Sequence, residues 1–279
     1  EAGQPFELDP VTLEDLGEMP VMGEEGPGSY KAHTKVDGRT GDWIFVGWNH
    51  GPTPGMEVVI KNRDGGLALH RKVEADRECY IHDFFASENY VVVNMHAMAF
   101  NPFPMLAGMR SFTDSLSWEP ELGNLLVVIP KDASREVQYF EAPGRFMWHS
   151  FNMFERGTEL VADFIAYDDP DHFIGEDPLF KAVMQGRMSQ AQYSGVARRY
   201  VMNLQSGRLG EEQLAEGNYE FPVVHPALAG YEYSVGYASF GSPGTILHSG
   251  LARIDMKVGL VDGFDFGSTT HIGEPIFVP

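Results

Sequence analysis

The sequence predicts an all-β fold, and three observations carry the prediction. Short alternating or wholly apolar runs recur along the 279 positions, stretches rich in Gly, Pro, Asp and Asn separate them, and a helical 3.6-residue period is nearly absent. In chain order the runs are DWIFVGW, MEVVIKN, LALHRKVEA, YVVVNMHA, NLLVVIP, ELVADFIAY, RRYVMNL, YEYSVGYASF and LARIDMKVG, with turns such as VDGRTGDW, NRDGGL and QSGRLG. The clearest unit is MWHSFNMFERGTELVADFIAYDD, residues 147–169. It reads as a strand, a charged Glu155-Arg156-Gly157-Thr158 turn and a second strand, the pattern of a hairpin. The helix-like exception, DPLFKAVMQGRM at 177–188, predicts a crossing segment of about three turns.

The 31 glycines and 18 prolines serve turns rather than linkers, so no domain boundary is predicted and residues 1–279 read as one domain. Antiparallel strands in this number must close a barrel, stack as a sandwich or repeat radially as a propeller. At roughly 40–50 residues per blade the chain would supply about six blades, but no sequence repeat chooses among the three. The chain starts at Glu1 and stops at EPIFVP, an apolar strand-like run, which is the look of a segment cut from a longer protein.

A hydrophobic content of 43% is enough for a core. Forty acidic against 20 basic side chains give a formal charge of −20, a field that repels phosphate backbones and anionic headgroups. Neither nucleic acid nor a stable membrane association is expected, and no run of about 18 apolar residues is present to span a bilayer. The single cysteine, Cys79, excludes an internal disulfide and a CxxC site and reads as a buried, inert thiol. The expectation is a cytoplasmic protein.

Ten histidines are present. His50, His172 and His248 adjoin turn residues and are expected in solvent; His70 and His96 fall in strands as structural imidazoles; His225 precedes a proline and His271 sits in a Ser-Thr-Thr turn. His33, His82 and His149 differ, each joining a strand candidate to small or polar neighbours in KAHTKVDG, YIHDFFASENY and MWHSFN. Their separations of 49 and 67 positions exclude a helical HExxH site but suit inner strands of successive blades aimed at one axis. Three imidazoles meeting there would bind Zn, Fe, Cu or Ni. Spacing alone favours three independent core histidines over a shared metal.

The motifs shift that balance. KAHTKVDGRTGDW resembles the AHP-x-x-D-x-x-TG segment of the carotenoid cleavage oxygenases, and YIHDFFASENYVVV resembles their HDF-x-x-T-x-NY segment. MWHSFNMFERGTELVADFIAYD is similar to FH-x-x-NA-x-E with its following strand, and GEPIFVP to GEPxFVPR. Order and spacing agree from end to end. The resemblance implies a seven-bladed β-propeller, here partial, with cap loops over its top face and Fe(II) on the axis held by four histidines. Three of those positions match His33, His82 and His149. Three glutamates that brace ligand imidazoles in the family match Glu1, Glu220 in YEFP and Glu274 in GEPIF. The fourth histidine of the family lies beyond the GEPxFVP segment and His271 is not its counterpart, so weaker iron binding by these residues alone is expected.

Within the family, SLSWEPELGNLLVVIPKD and EAGQPFELDPVTLEDLG look most like the bacterial lignostilbene dioxygenases. That likeness implies cleavage of the central C=C bond of a hydroxystilbene with O2 to give two aldehydes, with no organic cofactor. The Lys and Tyr that grip the phenol in that branch fall upstream of Glu1. Phe84, Phe103 and Phe146 are the expected pocket walls, and the Met, Phe and Pro-rich stretch 94–112 an expected tunnel wall. The implied partners are a small apolar or aromatic substrate and O2, and a homodimer is compatible with the sequence. An apocarotenoid-cleaving oxygenase and a non-catalytic β-propeller binding module are the alternatives.

Overall fold

The computed structural model of the protein describes residues 3–22, 29–51, 53–259 and 261–278. The chain separates into two compact units, Glu1–Glu78 and Cys79–Pro279, a division that the even spread of glycine and proline does not announce.

In the first unit a short hairpin, β1 (Phe6–Leu8) with β2 (Asp15–Glu18), precedes an antiparallel four-stranded sheet. Its strands run in chain order: β3 (Lys35–Val36), β4 (Trp43–Asn49), β5 (Gly55–Lys61) and β6 (Leu67–Glu74). The inner strands β4 and β5 are buried almost throughout, whereas the edge strand β6 stays largely exposed. Glu57 is buried in β5 at 1% exposure. The sheet register answers its charge: Lys72 pairs with Glu57 across β5 and β6 and gives an ammonium at 2.9 Å, while His70 Nε2 lies 2.6 Å away. Burial alone would push this carboxyl up, but hydrogen bonds from Asn49, His70 and Lys72 bring it below its ordinary value. His70 is the structural imidazole its strand position predicts.

The second unit holds three more antiparallel four-stranded sheets. The first contains β7 (Phe85–Ala86) and β8 (Tyr90–Met95), followed by a β9 (Met98–Phe100) and β10 (Leu116–Trp118) hairpin that encloses α1 (Pro102–Leu106). The sheet then resumes with β11 (Asn124–Pro130) and β12 (Gln138–Ala142). The second sheet is β13 (Ser150–Arg156), β14 (Glu159–Ala166), then, after α2 (Leu179–Met184), β15 (Val196–Asn203) and β16 (Arg208–Ala215). The third is β17 (Tyr219–Val223), β18 (Val235–Phe240), β19 (Gly250–Asp255) and β20 (Val261–Asp265). A four-stranded antiparallel meander is the blade unit of a propeller, and the all-β expectation holds.

β14 shows why ELVADFIA reads as one apolar run. Successive side chains of a strand point to opposite faces. Leu160, Ala162, Phe164 and Ala166 pack with Phe85, Val92, Leu126 and Val128 of the preceding sheet. Val161 and Ile165 pack with Ala238, Ala252 and Ile254 of the following one. Asp163, on the second face, is fully buried and takes the Arg199 guanidinium at 2.7 and 2.8 Å and the Tyr233 hydroxyl at 2.7 Å.

Several expectations are corrected. The helix predicted over 177–188 is the six-residue α2, stopped before Gly186, whose φ of +69° is left-handed. α1 was hidden in the sequence by its prolines, which sit in the first turn where no N–H is needed, while Asn101 caps the Phe103 N–H at 3.1 Å. Residues 273–278 of the GEPIFVP segment form no strand, and Ile276 and Val278 are 87% and 81% exposed. His172 and His248 are not in solvent but buried, at 1% and 3% exposure. Turn residues beside a histidine describe its backbone, not the burial of its ring. The ring of His248 lies 2.7 Å from Ser239 Oγ, and that hydroxyl donates to the Glu220 carbonyl, so His248 must donate from Nδ1. Cys79 is buried, as expected. Among the described residues no helix is long and apolar enough to cross a membrane.

Candidate metal centre

Two of the predicted histidines meet in the second unit. His82 lies in the extended segment before β7, and His149 is the residue before β13, 8% exposed. Their Nε2 atoms are 3.2 Å apart, and the rings stand at 81° with centroids 5.0 Å apart. One hydrogen-bonded pair holds the two segments at this spacing. Asp83, 1% exposed, accepts the Ser150 N–H and the Ser150 hydroxyl on Oδ2, both at 2.8 Å, and its own Phe84 N–H on Oδ1 at 2.7 Å. Each histidine is thus followed directly by one half of a buried clamp.

Glu220 completes the arrangement from behind. Its Oε2 lies 2.5 Å from His149 Nδ1 and 2.6 Å from the N–H of Phe221. The backbone is bent to make this possible. The β17 to β18 register slips between Glu220 and Val223, a bulge, and Phe221 is held at φ +51°, a left-handed value that costs a bulky residue about 1–3 kcal/mol. Burial would raise the Glu220 carboxyl. The attraction and hydrogen bond of His149, the Phe221 N–H and His248 outweigh burial and leave it below its ordinary value. Beside it the Tyr167 hydroxyl is pushed well up, first by burial and then by the Glu220 charge, so it remains a donor.

These contacts decide the tautomer of His149. A carboxylate at Nδ1 keeps the proton there and frees the Nε2 lone pair, which faces His82 Nε2. With metal–nitrogen bonds of about 2.0–2.1 Å, two nitrogens at that spacing subtend about 100° at a shared cation. Two imidazole nitrogens, one with a carboxylate at its back, fit a first-row divalent metal. The walls are aromatic: Trp148 meets His82 edge to face at 4.8 Å, and Phe221 lies 5.1 Å from His149.

His33 belongs to the first unit, half-buried just before β3. Glu1 lies outside the described residues. Glu274 is exposed and in no strand. Phe84 and Phe146 are fully buried by packing, and Phe103 is 70% exposed on α1. A cleft of about 630 Å³ between residues 110–118 and 169–176 is lined by Arg110, Asp114, Trp118, Asp169 and Glu176 among others. An adjoining cleft of about 320 Å³ has Phe173, Pro178, Phe180, Lys181 and Met184 in its wall. None of the three predicted phenylalanines lines either cleft. The stretch 94–112 is divided, with Met95 and Met98 fully buried and Leu106 and Met109 at 78% and 65% exposure.

Asp83, Ser150, Tyr167 and the strained Phe221 were not picked out by sequence reasoning. The signal for the first two was available: a polar residue directly after each histidine, inside a run otherwise apolar.

The family model described as RPE65, retinal pigment epithelial membrane protein, matches residues 1–279. The chain is 25% identical over 292 aligned positions to the apocarotenoid-15,15'-oxygenase of Synechocystis sp., covering all of this chain and 58% of that protein. It is 32% identical over 184 positions to resveratrol cleavage oxygenase 1 of Chaetomium globosum, covering 60% of this chain and 29% of that one. The crystal structure of the cobalt-substituted Synechocystis apocarotenoid oxygenase superposes with a TM-score of 0.90 at 22% identity, covering all of this chain and 59% of that one. That likeness bears out the propeller fold. The chain therefore spans somewhat over half the length of the relatives that align to all of it.

Proposed function

The chain belongs to the RPE65, or carotenoid cleavage oxygenase, family, and on that premise we propose that the complete protein is a non-haem Fe(II) dioxygenase that splits a C=C bond of a small apolar or aromatic substrate. Both atoms of O2 enter the products, one at each alkene carbon, giving two carbonyl compounds. The observation that carries the proposal is the arrangement of His82, His149 and Glu220: two facing imidazole nitrogens with a buried carboxylate fixing one of them.

His82 and His149 would hold the iron through Nε2, and His33 is assigned as a third ligand from its motif. Bound Fe(II) would supply a site for O2 and the electrons to activate it. The chain's own residues do the rest. Glu220 keeps the His149 proton on Nδ1 and raises the basicity of Nε2. Asp83 and Ser150 hold the two ligand segments in register. Neutral imidazoles leave a bound cation its charge, while Trp148 and Phe221 keep water from the ring faces. Glu1 and Glu274 carry the bracing role on the motif alone.

For the substrate, a hydroxystilbene is the preferred class. The reading rests on the SLSWEPELGNLLVVIPKD likeness and on the resveratrol-cleaving relative. An apocarotenoid is the second reading, supported by the relative that aligns to the whole chain. The test is to purify the complete protein anaerobically, load it with Fe(II) and offer both substrates under O2. A hydroxystilbene is expected to give two aromatic aldehydes and about one iron per chain; apocarotenals alone would shift the substrate class. A protein that takes up no iron would be a binding module instead.

A further inference from the structure

An indole N–H taken largely out of solvent usually finds an acceptor. Trp148, directly ahead of His149, donates its Nε1–H to His172 Nε2 at 2.7 Å. His172 is 1% exposed in the loop between β14 and α2. Because an indole only donates, His172 must accept at Nε2 and carry its own proton on Nδ1. Burial keeps that imidazole neutral, its pKa pushed down to about 4.

Trp148 is closely walled. It meets His82 at 4.8 Å and 87°, Phe146 at 4.9 Å and 88°, and Phe173 at 4.7 Å and 65°. A flat ring held by walls on several sides can still slide or flip until one corner is fixed, and the bond to His172 fixes it. The position has Phe in the FH-x-x-NA-x-E pattern, and a phenyl ring would give His172 nothing to accept. The buried histidine and the tryptophan thus make sense together and not apart.

From this geometry we propose that His172 is a positioning residue for the candidate metal centre: through its hydrogen bond it sets the orientation of Trp148, and Trp148 holds the His82 imidazole with Nε2 facing His149. The proposal rests on the reading of His82 and His149 as metal ligands. It adds a second support to the centre, an aromatic one on the His82 side, opposite the carboxylate support on the His149 side.

The test uses the complete protein with ¹³C-labelled histidine, first free of metal. His172→Phe leaves the indole N–H without its acceptor and is expected to move the His82 ring resonance. The double variant Trp148→Phe with His172→Phe removes donor and acceptor together and is expected to bring it back toward the parent position. Co(II) titration, followed by its visible bands, should show about tenfold weaker binding for His172→Phe, largely restored in the double variant. An unmoved His82 resonance with unchanged Co(II) affinity in His172→Phe would overturn the proposal, as would a double variant no better than the single. If His172→Phe fails to fold, His172→Gln, whose amide oxygen can accept the indole N–H, should keep the parent resonance and affinity; a change in both would count against the proposal. A parent protein that takes up neither Co(II) nor Fe(II) would defeat the metal reading, and the His82 resonance would still decide whether His172 positions that ring.

Discussion

Asp83 accepts both the backbone N–H and the hydroxyl of Ser150 at 2.8 Å, and so ties the residue after His82 to the residue after His149. The two donors on Ser150 are unequal in what they demand. Ser150→Ala removes the hydroxyl but leaves the N–H paired, and should cost about 1 kcal/mol. Asp83→Ala strips the acceptor from three buried donors and should cost about 3 kcal/mol or more. Urea midpoints of the two variants check the order, and Asp83→Ala should also weaken Co(II) binding because the two histidine segments lose their register.

Glu220 should matter to the metal more than to the fold. Glu220→Gln keeps an oxygen that can accept from His149 Nδ1 but removes the negative charge, whereas Glu220→Ala removes both. Loss of such a partner typically costs about 10–100-fold in metal affinity. The expected order of Co(II) affinity is parent, then Gln, then Ala; equal affinity of all three would mean that Glu220 does not brace a ligand.

The strain at Phe221 gives an ordering test that opposes simple hydrophobic bookkeeping. At φ +51° glycine sits without penalty, while a β-branched residue pays most. Phe221→Gly should therefore be less destabilising than Phe221→Val, although valine retains more apolar surface. The expected gap is about 1–2 kcal/mol, read from thermal or urea unfolding. The reverse order would remove the argument that the bulge stores strain to aim Glu220.

The central strands were legible because their apolar runs record burial, on both faces in the case of β14. The edge strands were not. β16 reads RLGEEQLA and is mostly exposed or half-buried, so backbone pairing with β15 makes it a strand where its side chains give no apolar signal. His82, His149 and Glu220 were legible through motifs, and the structure brings these three together. The Trp148 to His172 and Asp83 to Ser150 bonds were not, because each joins residues 24 and 67 positions apart whose meeting depends on how strands pack. Glu274 is where the pattern puts it and is exposed, in a segment that pairs with no strand among the described residues.

Two buried histidines set the acid limit of the fold. His172 is pushed down to about 4 by burial, against a smaller opposing pull from Glu220, and His96, fully buried, to about 3 by burial, which outweighs the opposing pull of the Tyr80 backbone. Both stay neutral in the folded chain at pH values where the unfolded chain, with histidines near 6.5, already binds protons. The unfolded state therefore holds more protons as pH falls below about 6.5, and stability rises with pH across that window. Each group adds a slope of up to about 1.4 kcal/mol per pH unit, until pH reaches its folded value. Urea midpoints measured from pH 7 to pH 4.5 should fall steeply, and His96→Phe should reduce the slope by roughly one proton's worth without changing its sign. A midpoint flat over this range would mean that water reaches both rings, contrary to their burial.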